Sequence, residues 1–264
     1  MRRLTGLLLA VVGLLGVVVV AGVDVSTSSA ASSTSFVGVT PARLFESRSG
    51  ESTVDGQQNA VGRRTAGQLS EVQVGGRGGV PADALAAVLN VTAIGPDAGG
   101  FVTVFPCGVD RPGASTLNYP PGGVVANGAT IKLGTGGKVC VYTQRAMQLI
   151  VDVSGFFPAG SSFVGVTPAR LFESRSGETT VDAQQNAIGR RTAGQLSEVQ
   201  VGGRGGVPAD ALAAVLNVTA IGPDAGGFVT VFPCGVDRPG ASTLNYPTGG
   251  VVANGATIKL GTGG

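Results

Sequence analysis

Histidine and tryptophan are absent from the sequence, and charged residues make up only 13% of its 264 residues. Without histidine the chain cannot form a Ser-His-Asp triad or a Cys-His nucleophile, and it lacks a ligand of most catalytic zinc sites. The net charge is only +2 and no basic run is longer than the Arg63-Arg64 pair, so the sequence shows no electrostatic footprint for nucleic acid. These absences favour a non-catalytic protein with no cofactor, no metal and no nucleic-acid partner.

Paired carboxylates are the remaining route to hydrolysis. A glycosidase needs two carboxyl groups about 5–10 Å apart. Most acidic residues in this sequence stand next to Gly, Pro or Ser, in predicted turns where Asp supplies local hydrogen bonds. No carboxylate pair stands out, which again favours a protein that is not an enzyme.

Glycine, by contrast, is abundant. Its 45 residues are scattered without a three-residue period, which excludes a collagen helix. Short apolar runs lie between turn signals of Gly, Pro and Asn, a pattern typical of an all-β chain with many turns.

The first 30 residues have the pattern of an export signal. Arg2 and Arg3 precede an uncharged apolar stretch at 4–23, and Ser28 and Ala30 form a small-x-small cleavage site. We therefore predict a cleaved signal peptide and a secreted or cell-surface protein. The alternative is an uncleaved anchor, because about twenty uncharged residues are long enough to span a bilayer.

An internal repeat occupies the rest of the sequence. Residues 36–137 recur as residues 163–264 with four differences, at Ser52/Thr179, Gly56/Ala183, Val61/Ile188 and Pro121/Thr248. The period exceeds the roughly 20–50 residues of solenoid repeats and indicates an array of whole domains. Ser-rich stretches mark the boundaries, which gives a linker at 31–35, repeat 1 at 36–158, a linker at 159–162 and repeat 2 at 163–264.

Alternating apolar and polar residues predict the strands of repeat 1. The alternation is clearest at 85–93, 101–105 and 149–157, and shorter runs lie at 36–39, 69–74, 115–119, 130–133 and 139–143. Residues 95–100 are predicted to be a hairpin connection, and one helical turn is predicted at 80–83. About eight strands in a domain of this size predict a β-sandwich, either jelly-roll or immunoglobulin-like.

Repeat 2 has no counterpart of residues 138–158 in the sequence. The run at 149–157 is typical of a central strand, whose loss exposes apolar faces and an unpaired sheet edge. We therefore expect repeat 2 to be an incomplete, C-terminally truncated sandwich. The alternative is that repeat 2 borrows strands from elsewhere.

The three cysteines agree with this division. In a secreted chain Cys107 and Cys140 of repeat 1 are predicted to form a disulfide, with two free buried thiols as the alternative. Cys234 of repeat 2 has no counterpart of Cys140 and is predicted to be unpaired. A Cys140–Cys234 bridge would instead mean that the domain runs from 138 to 264.

The densest charged cluster, Arg43, Glu46 and Arg48, is the candidate ligand site. Arginine forks suit carboxylate and other anionic ligands, but a structural ion pair that fixes the first strand is the simpler alternative. On a regular strand Glu46 and Arg48 share a face and Arg43 lies opposite. Asp152 needs a partner within its apolar strand, and we expect it to pair with Arg43 or Arg48. Tyr119 is a further candidate if it is exposed beside its PPGG loop, and core packing with a bonded hydroxyl is the alternative.

Several motifs, in a fixed order, resemble a known family. They are PARLFESR, GVPADALAAVLNVTAIGP, FVTVFPCG, STLNY and LIVDVSGFFP. The set resembles the tandem repeat module of secreted and surface proteins of high-GC bacteria, which typically reads PxRLLDTR … LNVT … STLNF … VDVxGYF. Glu46-Ser47 replaces the usual Asp-Thr, and Phe156-Phe157 replaces Tyr-Phe. The resemblance covers both repeats and implies export, tandem arrays and attachment beside other extracellular domains, and it carries no catalytic residues.

These observations predict an exported, non-catalytic structural or adhesive repeat module. The alternative is a module that binds extracellular glycan or cell-wall ligands. We expect the partners to be cell-wall or extracellular glycan or another surface protein. Contact with a membrane is expected only through the N-terminal segment before cleavage.

Overall fold

The structure, a computed structural model, describes residues 36–264, so the predicted signal peptide and the 31–35 linker lie outside the described residues. Twelve β-strands form antiparallel sheets, and the only helical element in this range is one 3-10 turn at Thr135–Gly137. The prediction of an all-β chain is confirmed. Within 36–264 no helix has the length and apolar character needed to cross a membrane.

Repeat 1 contains two four-stranded sheets. Its strands are β1 Val37–Glu46, β2 Gln68–Gln73, β3 Ala86–Ile94, β4 Gly100–Pro106, β5 Leu117–Tyr119, β6 Val124–Lys132, β7 Lys138–Thr143 and β8 Gln148–Phe157. The sheet orders are β1-β8-β3-β6 and β2-β7-β4-β5. Both β7 and β8 therefore lie inside a sheet, and the prediction of a central strand at 149–157 is confirmed.

The two sheets share one hydrophobic core. Leu89 and Val91 of β3, Val151 of β8, Val104 of β4 and Val141 of β7 are all buried in the same cluster. The apolar side chains of both sheets therefore lie in one shared interior, as they do between packed sheets. This arrangement fits the β-sandwich predicted for repeat 1.

The connection between β3 and β4 differs from the predicted hairpin. The two strands belong to different sheets, so the chain crosses from one sheet to the other between them. Arg63 binds to this connection. Its Nη2 donates to the Gly95 carbonyl at 2.7 Å and to Asp97 Oδ1 at 2.6 Å. A Gly-rich connection looks the same in sequence whether it turns back within a sheet or passes to the next one.

Two other segments also differ from the prediction. At 80–83 the structure has a non-helical turn in place of the expected helical turn. A hydrogen bond of 3.2 Å from Ala84 N to Pro81 O closes it. Strand β6 begins at Val124, well before the predicted run at 130–133. Its Asn-Gly pair resembles a turn signal, but the whole of β6 is paired with β3.

Repeat 2 forms only two two-stranded sheets. Its strands are β9 Ala213–Ile221, β10 Gly227–Val229, β11 Leu244–Tyr246 and β12 Val251–Lys259, paired as β12-β9 and β10-β11. The counterparts of β1 and β2, at 164–173 and 195–200, are not strands. In repeat 1 the only strand partner of β1 is β8, and that of β2 is β7.

Strand β10 is also shorter than its counterpart β4, and the missing part is the part that pairs with β7 in repeat 1. In repeat 1 the first part of β4 pairs with β5 and the part from Val102 to Pro106 pairs with β7. Strand β10 is the counterpart of the first part alone. Pairing in repeat 2 therefore stops wherever the partner in repeat 1 is β7 or β8.

The two repeats contact each other through polar and aromatic side chains. Asn127 of β6 donates to Asn217 Oδ1 of β9 at 3.0 Å and accepts from Gly255 N of β12 at 3.0 Å. Across the linker, the rings of Phe157 and Phe163 stack with centroids 4.3 Å apart.

Candidate functional site

The predicted charged cluster lies at the end of β1, where the strand carries a bulge. Arg43 is opposite Asp152, but Phe45, two residues later, is opposite Val151. The extra residue on β1 is a β-bulge, which breaks the two-residue alternation of the strand. The prediction that Arg43 and Glu46 lie on opposite faces is therefore wrong, and their side chains meet.

Glu46 is the centre of the cluster. Its side chain is 0% exposed and accepts from Arg43 Nη1 at 2.9 Å, from Arg48 Nε and Nη2 at 3.0 and 2.9 Å, and from Arg48 N at 2.8 Å. Burial by itself raises the pKa of Glu46, but the hydrogen bonds and charge of Arg48, together with the charge of Arg43, outweigh it and the pKa is lowered. Glu46 is thus a fixed buried anion with a full set of donors.

Asp152 joins the cluster from β8. Arg43 Nε donates to Asp152 Oδ1 at 3.0 Å, which confirms that Asp152 pairs with one of the two arginines. Arg43 Nη1 also lies 3.8 Å from Glu51. Each charged side chain of the cluster therefore has a partner of opposite charge within repeat 1, as the interpretation of a structural ion pair requires.

A shallow depression lies beside this cluster. Pro41, Arg43, Asn90, Asp152 and Ser154 contribute to its lining. The side chains of Arg43 and Asp152 remain 29% and 27% exposed. A guanidinium, a carboxylate, an amide and a hydroxyl are thus available for hydrogen bonds to a polar ligand, but the depression has no activated nucleophile.

Tyr119 lies in the core and does not border this depression. Its ring is 3% exposed, and its hydroxyl donates to the Phe101 carbonyl at 3.1 Å and accepts from Arg145 N at 3.3 Å. Burial raises the pKa of Tyr119 to about 12. The alternative of core packing with a bonded hydroxyl is confirmed, and the ring offers no face for stacking on a sugar.

The sequence did not reveal an ion pair of repeat 1 that contains a buried arginine. Arg77 is 5% exposed, and its Nε and Nη2 donate to both carboxylate oxygens of Asp55 at 2.8 and 2.6 Å. Its other donors reach the backbone carbonyls of Leu44, Gln57 and Gln73. The hydrogen bonds from Arg77 lower the pKa of Asp55 to about 2.

The same pair recurs in repeat 2, where Arg204 Nε donates to Asp182 Oδ2 at 2.7 Å. In the sequence, the only sign of this ion pair is the single arginine inside GGRGG. In the structure, Gly76, Gly78 and Gly79 of this segment all have positive φ. These glycines form the turn that carries Arg77 into its buried position.

The cysteines pair as predicted. Cys107, just after β4, forms a disulfide with Cys140 of β7, with a Cα–Cα distance of 4.9 Å. This pairing rules out the Cys140–Cys234 bridge in this structure. Cys234 is exposed and has no partner within residues 36–264.

Comparison of the chain with known protein families, with curated proteins and with solved structures finds no match. The resemblance to the bacterial repeat module therefore remains a prediction, and function has to be argued from the site itself.

Proposed function

We propose that the chain is an exported, non-catalytic structural or adhesive part of a surface or secreted protein, built from tandem β-sandwich modules. The observation that carries the proposal is the Arg43–Glu46–Arg48–Asp152 cluster. Its charges neutralise one another inside repeat 1, so the densest polar site stabilises β1 and leaves no group poised for acid, base or nucleophilic chemistry.

The disulfide supports an extracellular setting. Disulfides persist in oxidising compartments and are rare in the cytosol, and Cys107–Cys140 joins the region after β4 to a central strand. The repeated sequence, the Ser-rich linkers and the resemblance to a surface-protein module support a tandem array in the same way.

Cell fractionation with N-terminal sequencing tests the proposal. We expect the protein outside the cytoplasm, with a mature N-terminus near Ala31 and with retention on intact cells or cell-wall material. Recovery only in the cytoplasm, or an intact Met1 on membrane-bound protein, contradicts the cleaved-signal proposal. A screen against peptide, ester and glycan substrates should find no turnover, and activity abolished by one substitution would show an enzyme.

The depression beside Arg43 favours one alternative, a module that binds extracellular glycan or cell-wall ligands. Its amide and hydroxyl come from Asn90 and Ser154, which are both exposed. Retention on insoluble cell-wall glycan should then be lost in the double variant Asn90→Ala/Ser154→Ala and kept in Thr92→Ala, a change on β3 outside the depression. Equal retention of both variants favours the structural role.

A further inference from the structure

Repeat 2 binds a loop of repeat 1, residues 112–115, which precedes β5. Arg170 Nη2 donates to the Gly113 carbonyl at 2.8 Å, and Asn217 Nδ2 donates to the Ser115 carbonyl at 2.7 Å. Two side-chain donors of one module thus hold two backbone carbonyls of its neighbour. Because the repeats are nearly identical in sequence, each module carries both halves of this contact.

The two donors have counterparts in repeat 1 that line the depression described above. These counterparts are Arg43 and Asn90. Arg43 uses its Nε and Nη1 to bind Asp152 and Glu46. Its Nη2 and the exposed side chain of Asn90 have no hydrogen-bond partner among residues 36–264. Repeat 1 therefore presents the same two donors with nothing bound to them in this part of the chain.

The two arginines are oriented in the same way. In each repeat Nη1 of the arginine lies close to two glutamates at equivalent positions, Glu46 and Glu51 in repeat 1 and Glu173 and Glu178 in repeat 2. These ion pairs leave Nη2 as the donor that faces outward. In repeat 1 the bond from Arg43 Nε to Asp152 also leaves Nη2 available, so the donor that binds a loop in repeat 2 is present in repeat 1 as well.

The loop is held by the same hydrogen bonds in both repeats. Thr103 Oγ1 donates to the Ala114 carbonyl at 3.0 Å, and Thr230 Oγ1 donates to the Ala241 carbonyl at 2.9 Å. The loop of repeat 2, residues 239–242, is exposed along its whole length. It therefore offers the same carbonyls that repeat 1 uses to bind its neighbour.

We propose that the depression of repeat 1 binds the loop 239–242 of a second copy of this chain. Arg43 Nη2 donates to the Gly240 carbonyl and Asn90 donates to the Ser242 carbonyl, as their counterparts do within one chain. Such a contact is heterologous, because the loop of one copy meets the depression of the next, and copies join head to tail into open chains or rings. The inference rests on the proposed structural function and names the partner of this surface.

The contact inside the chain sets the concentration at which copies should associate. A short flexible linker, such as the one predicted at 159–162, gives the loop and its partner an effective concentration in the mM range. The contact between the repeats forms under these conditions. Separate copies have no such tether, so we expect them to associate as the protein concentration approaches about 1 mM.

Sedimentation velocity of the full chain tests the proposal. Every protein carries Cys234→Ser, so that the exposed thiol cannot link copies. We expect the weight-average mass to rise with concentration between about 10 μM and about 1 mM. Asn90→Ala should weaken this rise, because one of the two donors is lost.

A matched pair of arginine substitutions locates the contact. Ala114 lines the space beside Arg170, and its counterpart in the exposed loop is Ala241. Ala241→Arg should abolish the rise in mass, because a second guanidinium there repels Arg43. Ala225→Arg, at an exposed position outside the loop, should keep it.

Cysteine pairs in the same Cys234→Ser background give a second readout. Ser115→Cys/Asn217→Cys places two thiols at the contact inside the chain and should form a bridge within one copy. Asn90→Cys/Ser242→Cys should form bridges between copies, with diamide as the oxidant that takes up two electrons and two protons. On a non-reducing gel this ladder should form at least about tenfold faster than with Asn90→Cys/Asp210→Cys, because binding raises the effective concentration of the two thiols.

Several results would overturn the proposal. They are a mass that stays constant up to about 1 mM, an equal rise in Ala241→Arg and Ala225→Arg, and equal rates of bridge formation in the two intermolecular cysteine pairs. Retention on cell-wall glycan that is lost in Asn90→Ala, without association of copies, would assign the depression to glycan instead. These measurements use purified protein, so a negative result leaves the separate tests of export and turnover unaffected.

Discussion

Arg43 and Asp152 lie directly opposite each other on β1 and β8, and a hydrogen bond of 3.0 Å joins Arg43 Nε to Asp152 Oδ1. Strand β1 is at the edge of its sheet, and β8 is its only strand partner. The first strand of repeat 1 is therefore paired through a single ladder, and this ion pair adds a side-chain link between the two strands.

Replacing Asp152 by Asn should lower the free energy of unfolding of repeat 1 by about 1 kcal/mol. The substitution weakens the charged hydrogen bond between Arg43 and Asp152, which lowers stability. The loss is small because the two side chains are 29% and 27% exposed and solvent screens their charges. Urea unfolding measures the change. Asp97→Asn removes an ion pair whose carboxylate is 66% exposed and should cost less than about 0.5 kcal/mol. An equal loss in both variants would contradict the assigned role of Asp152.

Removing the buried guanidinium of Arg77 should be more damaging. Arg77→Met removes the guanidinium that donates to Asp55 and to three backbone carbonyls, while Gln57 still donates to Asp55. The loss of these charge-assisted hydrogen bonds should cost about 2 kcal/mol or more. Arg63→Met, at a site where the side chain is 39% exposed, is the matched control. The double variant Arg77→Met/Asp55→Asn should recover part of the loss, and a cost below about 1 kcal/mol for Arg77→Met would reject the assigned role.

Acid should weaken repeat 1 through Asp55. Its pKa is about 2 in the folded protein, below the ordinary value of 3.8, so the unfolded chain takes up a proton first as the pH falls. The stabilisation from Asp55 is fully present above about pH 4 and is lost as the pH falls from about 4 through 2. Urea unfolding at several pH values should show this slope, and Asp55→Asn should flatten it. An unchanged slope in that variant assigns the acid sensitivity to other carboxylates.

The disulfide should account for a large part of the stability of repeat 1. Closing the 33-residue separation between Cys107 and Cys140 stabilises by about 3–4 kcal/mol in the loop-entropy estimate. The double variant Cys107→Ser/Cys140→Ser should show this loss in urea, whereas Cys234→Ser should leave unfolding unchanged. Non-reducing peptide mapping should recover Cys107 linked to Cys140, and a Cys140–Cys234 peptide pair would overturn the domain boundaries.

Local patterns in the sequence predicted the strands but not how the strands assemble. The alternation at 149–157 is strong because β8 has its apolar side chains on the core, so both the strand and its central position could be predicted. The passage of the chain between sheets after β3 could not, because it depends on distant partners and not on the Gly-rich connection itself.

The bulge in β1 and the burial of Arg77 escaped prediction for related physical reasons. A bulge shifts side chains between faces without a residue type of its own, so Arg43 was assigned to the wrong face. Arg77 finds its carboxylate on Asp55, 22 residues away, and short-range charge patterns do not report such a pair.

The pairing of β1 with β8 also governs when repeat 1 can become compact during synthesis. Val37 is opposite Phe156, so the first strand has no partner until almost the whole repeat has left the ribosome. Contacts this far apart in sequence form late and slowly. The sheet that carries β1 is therefore completed only at the end of synthesis of the repeat, whereas β3 and β6 can pair earlier because both lie within residues 86–132.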